Sequence, residues 1–461
     1  MRLSTIAAIS TPIGKGGVAL LRVSGPRAKE IAQAVFSPMS GKEIGDYPPR
    51  VQIYGSILSL DTRHVLDDGL LTYFQAPASF TGEDVVEIAC HGGEVISSMI
   101  LSNLLRAGAE MAEPGEFSRR AFLNGKMSLT SAEGIADLLD AKTEEAALLS
   151  SKTARGKLSE AINILSDKLL SAASSLWAYL DYPEEDLGGI DDAQMLTLLS
   201  EISSDCDTLL SSFAIGRAVN SGISTAILGK PNVGKSTFFN AFLGENRAIV
   251  TALPGTTRDR IEETVKAGRV LLNLSDTAGV RRDTEDQIEQ IGIEKAVQAA
   301  KEAELVFAVF DLSRPLEEDD RIVLETLREI KDRAVILPVY TKKDLPLVLD
   351  VSELSFLGEA FVVSDREKID FTPFISRIER HFISDESALR EGRILSNARQ
   401  KSALQKTKDL VEEAKEEILS GAKDLASLTL ESALSSLLEI DGKSAGEKIL
   451  DEVFSRFCVG K

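Results

Sequence analysis

The chain has 461 residues, of which 43% are hydrophobic and 27% are charged, and its formal net charge is −20 at pH 7. A chain of this length exceeds one ordinary hydrophobic core, so two or three domains are expected. The excess of acid excludes a protein whose whole surface binds nucleic acid. RNA could still be bound through a local basic patch or through a second protein.

Cysteines and histidines are few and scattered along the chain. The three cysteines are Cys90, Cys206 and Cys458, and the three histidines are His64, His91 and His381. No C-x-x-C pair occurs, which excludes a disulfide framework and a His/Cys zinc site and indicates a reducing compartment. Pro12 and several glycines interrupt the apolar N-terminus, and no uncharged run reaches the roughly 18 residues of a membrane span. We therefore expect a cytoplasmic protein without a membrane partner.

The first region, residues 1 to about 118, has the pattern of a mixed α/β domain. Residues 6–9, 18–23, 73–74 and 85–89 are strand-like, and residues 26–36 have helical spacing. Glycine and proline pairs between these segments mark turns.

The second region, residues 118 to 216, has little glycine or proline. Apolar residues recur at helical spacing through 131–180, which is typical of long amphipathic helices in a bundle. Residues 182–189 break this pattern, but it returns near Ala398 and runs to Phe457. The sequence therefore predicts one helical domain made of two segments.

Between these segments, strands alternate with helices. The strand-like runs are 223–228, 270–274, 305–310, 334–340 and 360–363, and their alternation indicates a mostly parallel sheet with crossover helices. Insertion into another domain is feasible because the two ends of a compact domain often lie close together. We predict an N-terminal α/β domain (1–118), a helical domain (119–216 and 383–461) and an inserted α/β domain (217–382).

Residues 229–236, Gly-Lys-Pro-Asn-Val-Gly-Lys-Ser, match the G-x-x-x-x-G-K-[ST] pattern of a phosphate-binding loop. Two glycines let backbone N–H groups turn toward phosphate oxygens, and the following helix adds the positive end of its dipole. Lys235 supplies a point charge, and the Ser236 hydroxyl suits a magnesium ion. The alternative is an accidental glycine-rich turn, which the strand before the loop and the helix after it disfavour.

Two downstream motifs extend this site. Residues 255–259 read Gly-Thr-Thr-Arg-Asp, and residues 276–279, Asp-Thr-Ala-Gly, directly follow the strand 270–274. Asp276 can hold magnesium through water, and the Gly279 N–H can meet a γ-phosphate. Thr257 offers a switch hydroxyl to the same metal.

Residues 341–344, Thr-Lys-Lys-Asp, predict which base is bound. Guanine presents two adjacent N–H donors and one carboxylate accepts both, so Asp344 would select GTP over ATP. The usual motif is N-K-x-D, but Thr341 replaces its Asn, and residues 364–366 read Ser-Asp-Arg where S-A-[KRL] is usual. We therefore expect a weakened affinity for the base, and a plain charged turn is the alternative.

Val280 follows Asp-Thr-Ala-Gly, at the position where many GTPases have a Gln that orients the attacking water. A valine cannot orient water, so another group must do so. A glutamate in the acidic run 283–289 is the candidate, while most of these acids suit a solvated face.

Several longer stretches resemble one family. They are GKPNVGKST (229–237), AIVTALPGTTRD (248–259), DTAGV (276–280), IEQIGIE (288–294), TPIGKGGVALLRVSGP (11–26), SFTGEDVVEIACHGG (79–93), EPGEFSRRAFLNGKMSLTSAE (113–133) and the ending FCVGK (457–461). Together these stretches are similar to the MnmE (TrmE) family of tRNA modification GTPases, and the likeness runs from Thr5 to Lys461.

The resemblance implies an N-terminal domain that dimerises and binds a tetrahydrofolate derivative, 5-formyl- or methylene-tetrahydrofolate. It implies a homodimer that forms a heterotetramer with an FAD-dependent partner, MnmG (GidA), which alone carries the FAD. Together they would add an aminomethyl or carboxymethylaminomethyl group to C5 of the wobble uridine, U34, of certain tRNAs. The tRNA would bind mainly through this complex.

The resemblance also implies site residues. Arg22, Glu87, Lys126 and Lys461 would bind folate, and Cys458 would be a functional thiol, with a plain buried cysteine as the alternative. Ser236 and Thr257 would hold Mg²⁺, and Asn232, Thr251, Leu253 and Thr256 would hold K⁺, which neutralises charge on the leaving phosphate. Asn232, Lys235, Asp276 and Glu289 would be catalytic, with Glu285 an open alternative for orienting the water.

Motifs and resemblance together predict one GTP-binding set. Its members are Asn232, Val233, Gly234, Lys235, Ser236, Thr237, Thr251, Ala252, Leu253, Pro254, Gly255, Thr256, Thr257, Asp276, Thr277, Ala278, Gly279, Thr341, Lys342, Lys343, Asp344, Ser364, Asp365 and Arg366.

Two other functions suit the same GTPase motifs. One is a ribosome-assembly GTPase, although such proteins usually carry a basic RNA-binding module and this acidic chain shows none. The other is a GTP-dependent scaffold without turnover, which Val280, Thr341 and Asp365 favour.

Overall fold

The computed structural model of the chain describes residues 4–12, 14–181, 191–245, 263–274, 289–364 and 369–461, with the side chains of 181, 245, 263 and 289–293 excepted. The chain divides into two compact units. Unit 1 comprises Met1–Ala136, Thr153–Leu199 and Asp409–Lys461, and unit 2 comprises Asp137–Lys152 and Ser200–Lys408. The sequence predicts three domains with other boundaries. Those domain segments stay a prediction.

Strands and helices alternate in the first region and again in unit 2. The strands are β1 (Ile6–Ile9), β2 (Val18–Ser24), β3 (Phe36–Pro38), β4 (Gln52–Leu58), β5 (Val65–Phe74), β6 (Val85–His91), β7 (Glu110–Met111), β8 (Ile223–Leu228), β9 (Glu263–Ala267), β10 (Val270–Leu274), β11 (Leu305–Asp311), β12 (Val335–Thr341) and β13 (Phe361–Val362). The helices are α1 (Ala28–Val35), α2 (Glu94–Arg106), α3 (Glu116–Leu123), α4 (Leu129–Asp140), α5 (Glu144–Ala154), α6 (Lys157–Asp181), α7 (Asp192–Asn220), α8 (Lys235–Glu245), α9 (Glu289–Glu302), α10 (Glu318–Ile330), α11 (Thr372–Phe382), α12 (Glu386–Glu391), α13 (Ala398–Leu419), α14 (Lys423–Ile440) and α15 (Glu447–Ser455).

A seven-stranded sheet with the order β3-β4-β5-β6-β2-β1-β7 forms the N-terminal part of unit 1. Its strands pair antiparallel, except that β1 and β7 are parallel. Helices α1 and α2 cover one face, where Ile31 and Ile100 join the core with Leu21 and Ile88. Because side chains alternate along a strand, Arg22 of β2 lies on the other face of the sheet.

Several elements of this region were not predicted from the sequence, among them β4 and α2. Strand β4 contains Gly55, and a Cβ atom there would lie 2.4 Å from the Ser37 carbonyl oxygen. The glycine therefore permits close packing of β4 against β3. Because glycine is depleted in strands generally, it weakens the sequence signal for β4. Helix α2 follows the glycine pair 92–93, which reads as a loop in the sequence. The helix is stabilised instead by burial of Ile100 and Leu104.

The helical segments of unit 1 include α6, which packs against α14. Phe454 and Phe457 at the end of the chain share a core with Leu129 and Ala132 of α4. Beyond α15 the chain returns to the first region, where Val459 forms a β-bridge with Pro114. Among the described helices, none has the length and hydropathy that crossing a membrane requires.

Unit 2 contains a six-stranded sheet with the order β13-β12-β11-β8-β10-β9, parallel except for the β9-β10 hairpin. This confirms the predicted mostly parallel sheet. Strand β8 is flanked by β10 on one side and β11 on the other, so the chain leaves β8 at the crevice where strand order reverses. Ligands of open α/β sheets bind at such crevices.

An aromatic cluster fixes the helix that follows this crevice. Phe238 and Phe242 of α8 lie against Phe307 of β11, with centroids 5.6 and 6.1 Å away, and against Phe371 and Phe374. All five rings are at most 2% exposed. Aromatic burial of this extent holds α8 on the sheet, so the first turn of the helix has a defined position.

Candidate functional site

The phosphate loop connects β8 to α8, as the sequence predicted. Asn232 and Gly234 take left-handed backbone conformations, with φ of 61° and 96°. A Cβ atom on Gly229 would lie 2.5 Å from the Val309 carbonyl oxygen, so glycine is needed where the loop meets β11. The loop therefore turns tightly and presents the N-terminus of α8 at the end of the sheet, the arrangement that binds anions.

Lys235 begins α8 and closes the loop on itself. Its Nζ donates to the carbonyl oxygens of Gly229 and Lys230, both at 2.7 Å. Ser236 follows in the first turn of the helix. An ammonium and a hydroxyl are thus held beside the amides at the start of the helix, which suits a polyphosphate with its magnesium ion.

Thr341, at the end of β12, connects the base-recognition motif to the phosphate loop. The Thr341 hydroxyl donates to the Val233 carbonyl oxygen at 2.5 Å and lies 3.2 Å from the Phe310 carbonyl oxygen. Thr341 is 4% exposed. The residue that replaces the usual Asn is therefore a buried tie between two loops. The expected loss of base affinity stays a prediction.

Lys342 makes a second tie. Its backbone has a φ of 58°, and its Nζ donates to the Asn232 carbonyl oxygen at 3.1 Å and to Asp311 Oδ2 at 2.6 Å. Burial raises the pKa of Asp311, but hydrogen bonds from Lys342 and Ser313 outweigh it, so the pKa lies below its usual value. Asp311 therefore stays ionised and holds Lys342 against the phosphate loop.

The expected guanine side of the site contains Asp344 and Ser364. The Ser364 hydroxyl donates to Asp344 Oδ1 at 3.5 Å, and the Lys343 N–H donates to the Val363 carbonyl oxygen at 3.4 Å. The segments after β12 and β13 therefore meet at the predicted base-recognition motif.

Many of the predicted nucleotide and metal ligands lie outside the described residues. These are Thr251, Ala252, Leu253, Pro254, Gly255, Thr256, Thr257, Asp276, Thr277, Ala278, Gly279, Asp365 and Arg366, together with Val280, Glu285 and the side chain of Glu289. The roles expected for them stay predictions.

Arg22 and Glu87, two of the predicted folate residues, pair with each other. They are directly opposite on β2 and β6, and the Arg22 Nη2 and Nε atoms lie 2.7 and 3.0 Å from Glu87 Oε1. The Arg22 guanidinium also lies 5.2 Å from the ring centroid of Phe80 and 5.7 Å from that of Phe117. A half-buried ion pair flanked by aromatic rings can recognise a flat polar ligand.

Lys126 reaches the same surface through the loop between β5 and β6. Its Nζ donates to the Pro77 carbonyl oxygen at 3.0 Å, and its side chain lies beside Gly82. Because Phe80 belongs to that loop, the loop contacts both Lys126 and Arg22.

Backbone contacts place Lys461 near the end of β1. The Ser10 hydroxyl donates to the Gly460 carbonyl oxygen at 3.0 Å, and Gly460 has a φ of 100°. A Cβ atom on Gly460 would lie 2.4 Å from the Ile9 carbonyl oxygen, so only glycine permits this approach. The tail is thus held against the strand next to the one that carries Arg22.

A buried cluster that the sequence interpretation missed supports the loop between β5 and β6. Arg120 is 6% exposed and contacts Glu83 at 3.2 Å and Glu116 at 2.8 Å, while the Ser24 hydroxyl donates to Glu83 at 2.7 Å. The i,i+4 spacing of Glu116 and Arg120 was the available signal, but it reads as an ordinary surface pair.

The three cysteines differ in environment. Burial raises the pKa of Cys90 to about 11 and that of Cys206 to about 12. Cys458 is exposed, so the alternative that it is a buried structural cysteine is wrong.

We expect Thr341→Val to weaken GDP binding about tenfold, because the buried Val233 carbonyl loses its donor. Thr341→Asn restores a side-chain donor and serves as the matched control, with affinity within about threefold of the wild type. Titration with a fluorescent GDP analogue measures both. Equal affinities for the wild type and the valine variant would contradict the tie.

Comparison with known proteins identifies the family. Residues 5–126 match the family model described as the GTP-binding protein TrmE N-terminus, and residues 129–458 match that of the MnmE helical domain. The chain is 41% identical to the tRNA modification GTPase MnmE of Thermoanaerobacter sp. (strain X514), over 100% of both chains, and 38% identical to that of Carboxydothermus hydrogenoformans, again over 100% of both. A solved structure of a variant of Aquifex aeolicus Era bound to GDP.AlF4- aligns with 40% of this chain and 65% of that chain, at 21% identity and a TM-score of 0.25. The two full-length sequence matches, together with the family models, show that the chain belongs to the MnmE (TrmE) family of tRNA modification GTPases.

Proposed function

We propose that the protein hydrolyses GTP and, with an FAD-dependent MnmG (GidA) partner, installs an aminomethyl or carboxymethylaminomethyl group at C5 of the wobble uridine of certain tRNAs. A tetrahydrofolate derivative supplies the one-carbon unit. The observation that carries the proposal is the joining of the phosphate loop to the Thr-Lys-Lys-Asp motif through Thr341 and Lys342, in a chain whose full-length relatives are named tRNA modification GTPases.

The described residues fit a magnesium-bound guanine nucleotide. The amides at the start of α8 bind the phosphates, Lys235 contributes a charge, and Asp344 accepts the two N–H donors of guanine. Ser236 and Thr257, with Asp276 through a water, would hold magnesium, which would neutralise phosphate charge. Glu289 or Glu285 orients the attacking water.

Asn232 would also hold a potassium ion at the proposed catalytic site. Asn232 is exposed, in a left-handed turn on the loop, where its amide oxygen suits a cation beside the phosphates. Thr251, Leu253 and Thr256 would complete the coordination. We propose that dimerisation of the GTPase region encloses this site and switches the protein.

The sheet face that carries Arg22 and Glu87 fits a folate. The Arg22–Glu87 pair matches the polar edge of the pterin, and Lys126 matches a carboxylate of the glutamate tail. Phe80, which is 38% exposed beside Arg22, adds an aromatic surface. Lys461 and the exposed Cys458 lie on the tail that returns to this region.

The proposed assembly is a homodimer that works in the cytoplasm and binds tRNA mainly in a heterotetramer with the FAD-carrying partner. The N-terminal domain (1–118) would dimerise, the inserted domain (217–382) would bind GTP, and the segments 119–216 and 383–461 would form the helical domain.

We expect a strain that lacks this gene to lose the wobble-uridine modification, as mass spectrometry of digested tRNA would show. A wild-type copy restores the modification. A Lys235→Ala copy does not, because the phosphate loop loses the ammonium that would contact the phosphates. A Lys301→Met copy, altered at an exposed ion pair, is the control and restores it. Normal modification in the deletion strain would refute the tRNA role.

GTP turnover is expected to be at least about tenfold faster in KCl than in NaCl at equal ionic strength, because the bound cation stabilises transition-state charge. Asn232→Ala should abolish the difference. Turnover that is equal in both salts would remove the potassium assignment, and turnover absent from both would remove the enzyme assignment.

Arg22→Ala should abolish folate binding in equilibrium dialysis. The change removes the guanidinium that would contact the folate, and it leaves the Glu87 carboxylate unpaired. GTP hydrolysis should remain, which shows that the variant is folded. Arg27→Ala breaks only the exposed pair with Glu30 and is the matched control. An unchanged folate affinity for the Arg22 variant would contradict the site.

A further inference from the structure

The phosphate loop carries a second lysine, Lys230, whose charge is directed to a helix. The Lys230 side chain is 5% exposed, and its Nζ lies 2.7 Å from Asp320 Oδ2 and 3.0 Å from Glu317 Oε2. Asp320 is 4% exposed while Glu317 is 58% exposed. Solvent screens the Glu317 contact more strongly, so Asp320 is the main partner.

Asp320 also stabilises the start of α10. Glu317 and Asp320 form a reciprocal capping box, in which the Glu317 N–H donates to Asp320 Oδ2 at 2.9 Å. The same carboxylate oxygen therefore accepts from the helix cap and from the phosphate loop. Helix α10 is itself fixed, since Val323 and Leu327 pack in a core with Leu228 of β8.

The Lys230 ammonium keeps its charge in this buried position. Burial lowers its pKa, but hydrogen bonds to Asp320 and Glu317 outweigh the burial, so the pKa lies above its usual value. The backbone of the same residue is held from the other side, because its carbonyl oxygen accepts from Lys235 Nζ at 2.7 Å. Residue 230 is thus held through both its side chain and its backbone.

We propose that Lys230 is a positioning residue, which keeps the phosphate loop in its anion-binding shape by anchoring the second residue of the loop to the first turn of α10. The two lysines of the loop have different partners. Lys235 contacts the loop carbonyls and would contact the phosphates, whereas Lys230 contacts Asp320 of α10. The effect on nucleotide affinity rests on the proposed GTP function, whereas the anchoring itself does not.

The test uses the full chain and four variants. Lys230→Met keeps the length of the side chain without its charge, and Lys230→Arg keeps the charge. Lys230→Met combined with Asp320→Asn leaves no buried unpaired charge, because the remaining Glu317 carboxylate is 58% exposed, and it retains an acceptor for the cap. Lys301→Met is the matched control, because Lys301 forms a 2.7 Å ion pair with Glu329 of the same helix but is 40% exposed.

Two quantities are measured: amide hydrogen exchange of residues 229–236 without nucleotide, and the Kd and binding stoichiometry for GDP. In Lys230→Met we expect about tenfold faster exchange and about tenfold weaker GDP binding with unchanged stoichiometry, as for loss of one charge-assisted contact. The double variant should match Lys230→Met in both quantities, because each of the two variants removes the same contact between Lys230 and Asp320. Lys230→Arg should stay within about threefold of the wild type, and Lys301→Met should equal it.

Several results would overturn the anchor. They are unchanged loop exchange in both Lys230→Met variants, or equal effects of Lys301→Met and Lys230→Met. A drop in stoichiometry at constant Kd would also overturn it, since that indicates only partial unfolding. If Lys230→Met does not fold, the double variant carries the same expectations. Failure of the wild type to bind GDP would refute the nucleotide function, while loop exchange would still decide the anchor.

Discussion

The hydrogen bond from the Thr341 hydroxyl to the Val233 carbonyl oxygen is the contact on which the nucleotide site depends. It joins the end of β12 to a loop that has no regular secondary structure of its own. With the tie from Lys342 to Asn232, it sets the distance between the phosphate cradle and the motif expected to bind the base. Both ties work because aromatic packing beneath α8 leaves the other end of the loop no freedom to shift.

Although the chain is acidic overall, basic side chains form ion pairs at or near both candidate sites. Within the described residues, Lys230, Lys342, Arg22 and Arg120 each lie against a carboxylate at or near a candidate site. Such pairs add little net stability, because desolvation offsets attraction, but breaking one strands a charge. They act by fixing positions: two hold the phosphate loop, one is the Arg22–Glu87 pair on the N-terminal sheet, and one supports the loop that contacts Arg22.

The N-terminal region of this MnmE-family chain gathers residues that are far apart in sequence. Cross-strand pairing brings Arg22 to Glu87, the loop between β5 and β6 brings Lys126 to the same surface, and a glycine with a left-handed backbone lets the last residues approach β1. Each contact is local and simple. Their grouping beside one sheet is the basis of the proposed folate site, whereas each residue alone would read as a surface charge.

Much of this protein follows from its residues. Apolar, β-rich runs predict β1, β8 and β10 to the residue, the G-x-x-x-x-G-K-[ST] pattern predicts the loop, and helical spacing predicts the onset of α13 near Ala398. These features depend on neighbours in the chain, so local sequence specifies them. Strand β4 and helix α2 escaped prediction because packing across the sheet overrides their weak local signals.

Pairing between distant segments could not be derived in this way. Nothing in the order of residues shows that Thr341 meets Val233, that Arg120 holds Glu83, or that Lys230 turns to Asp320 and not to a phosphate. These choices arise when the sheet is assembled and desolvation forces each buried polar group to find a partner. Chain pattern supplies the chemical groups of the site, and folding assigns each one its partner.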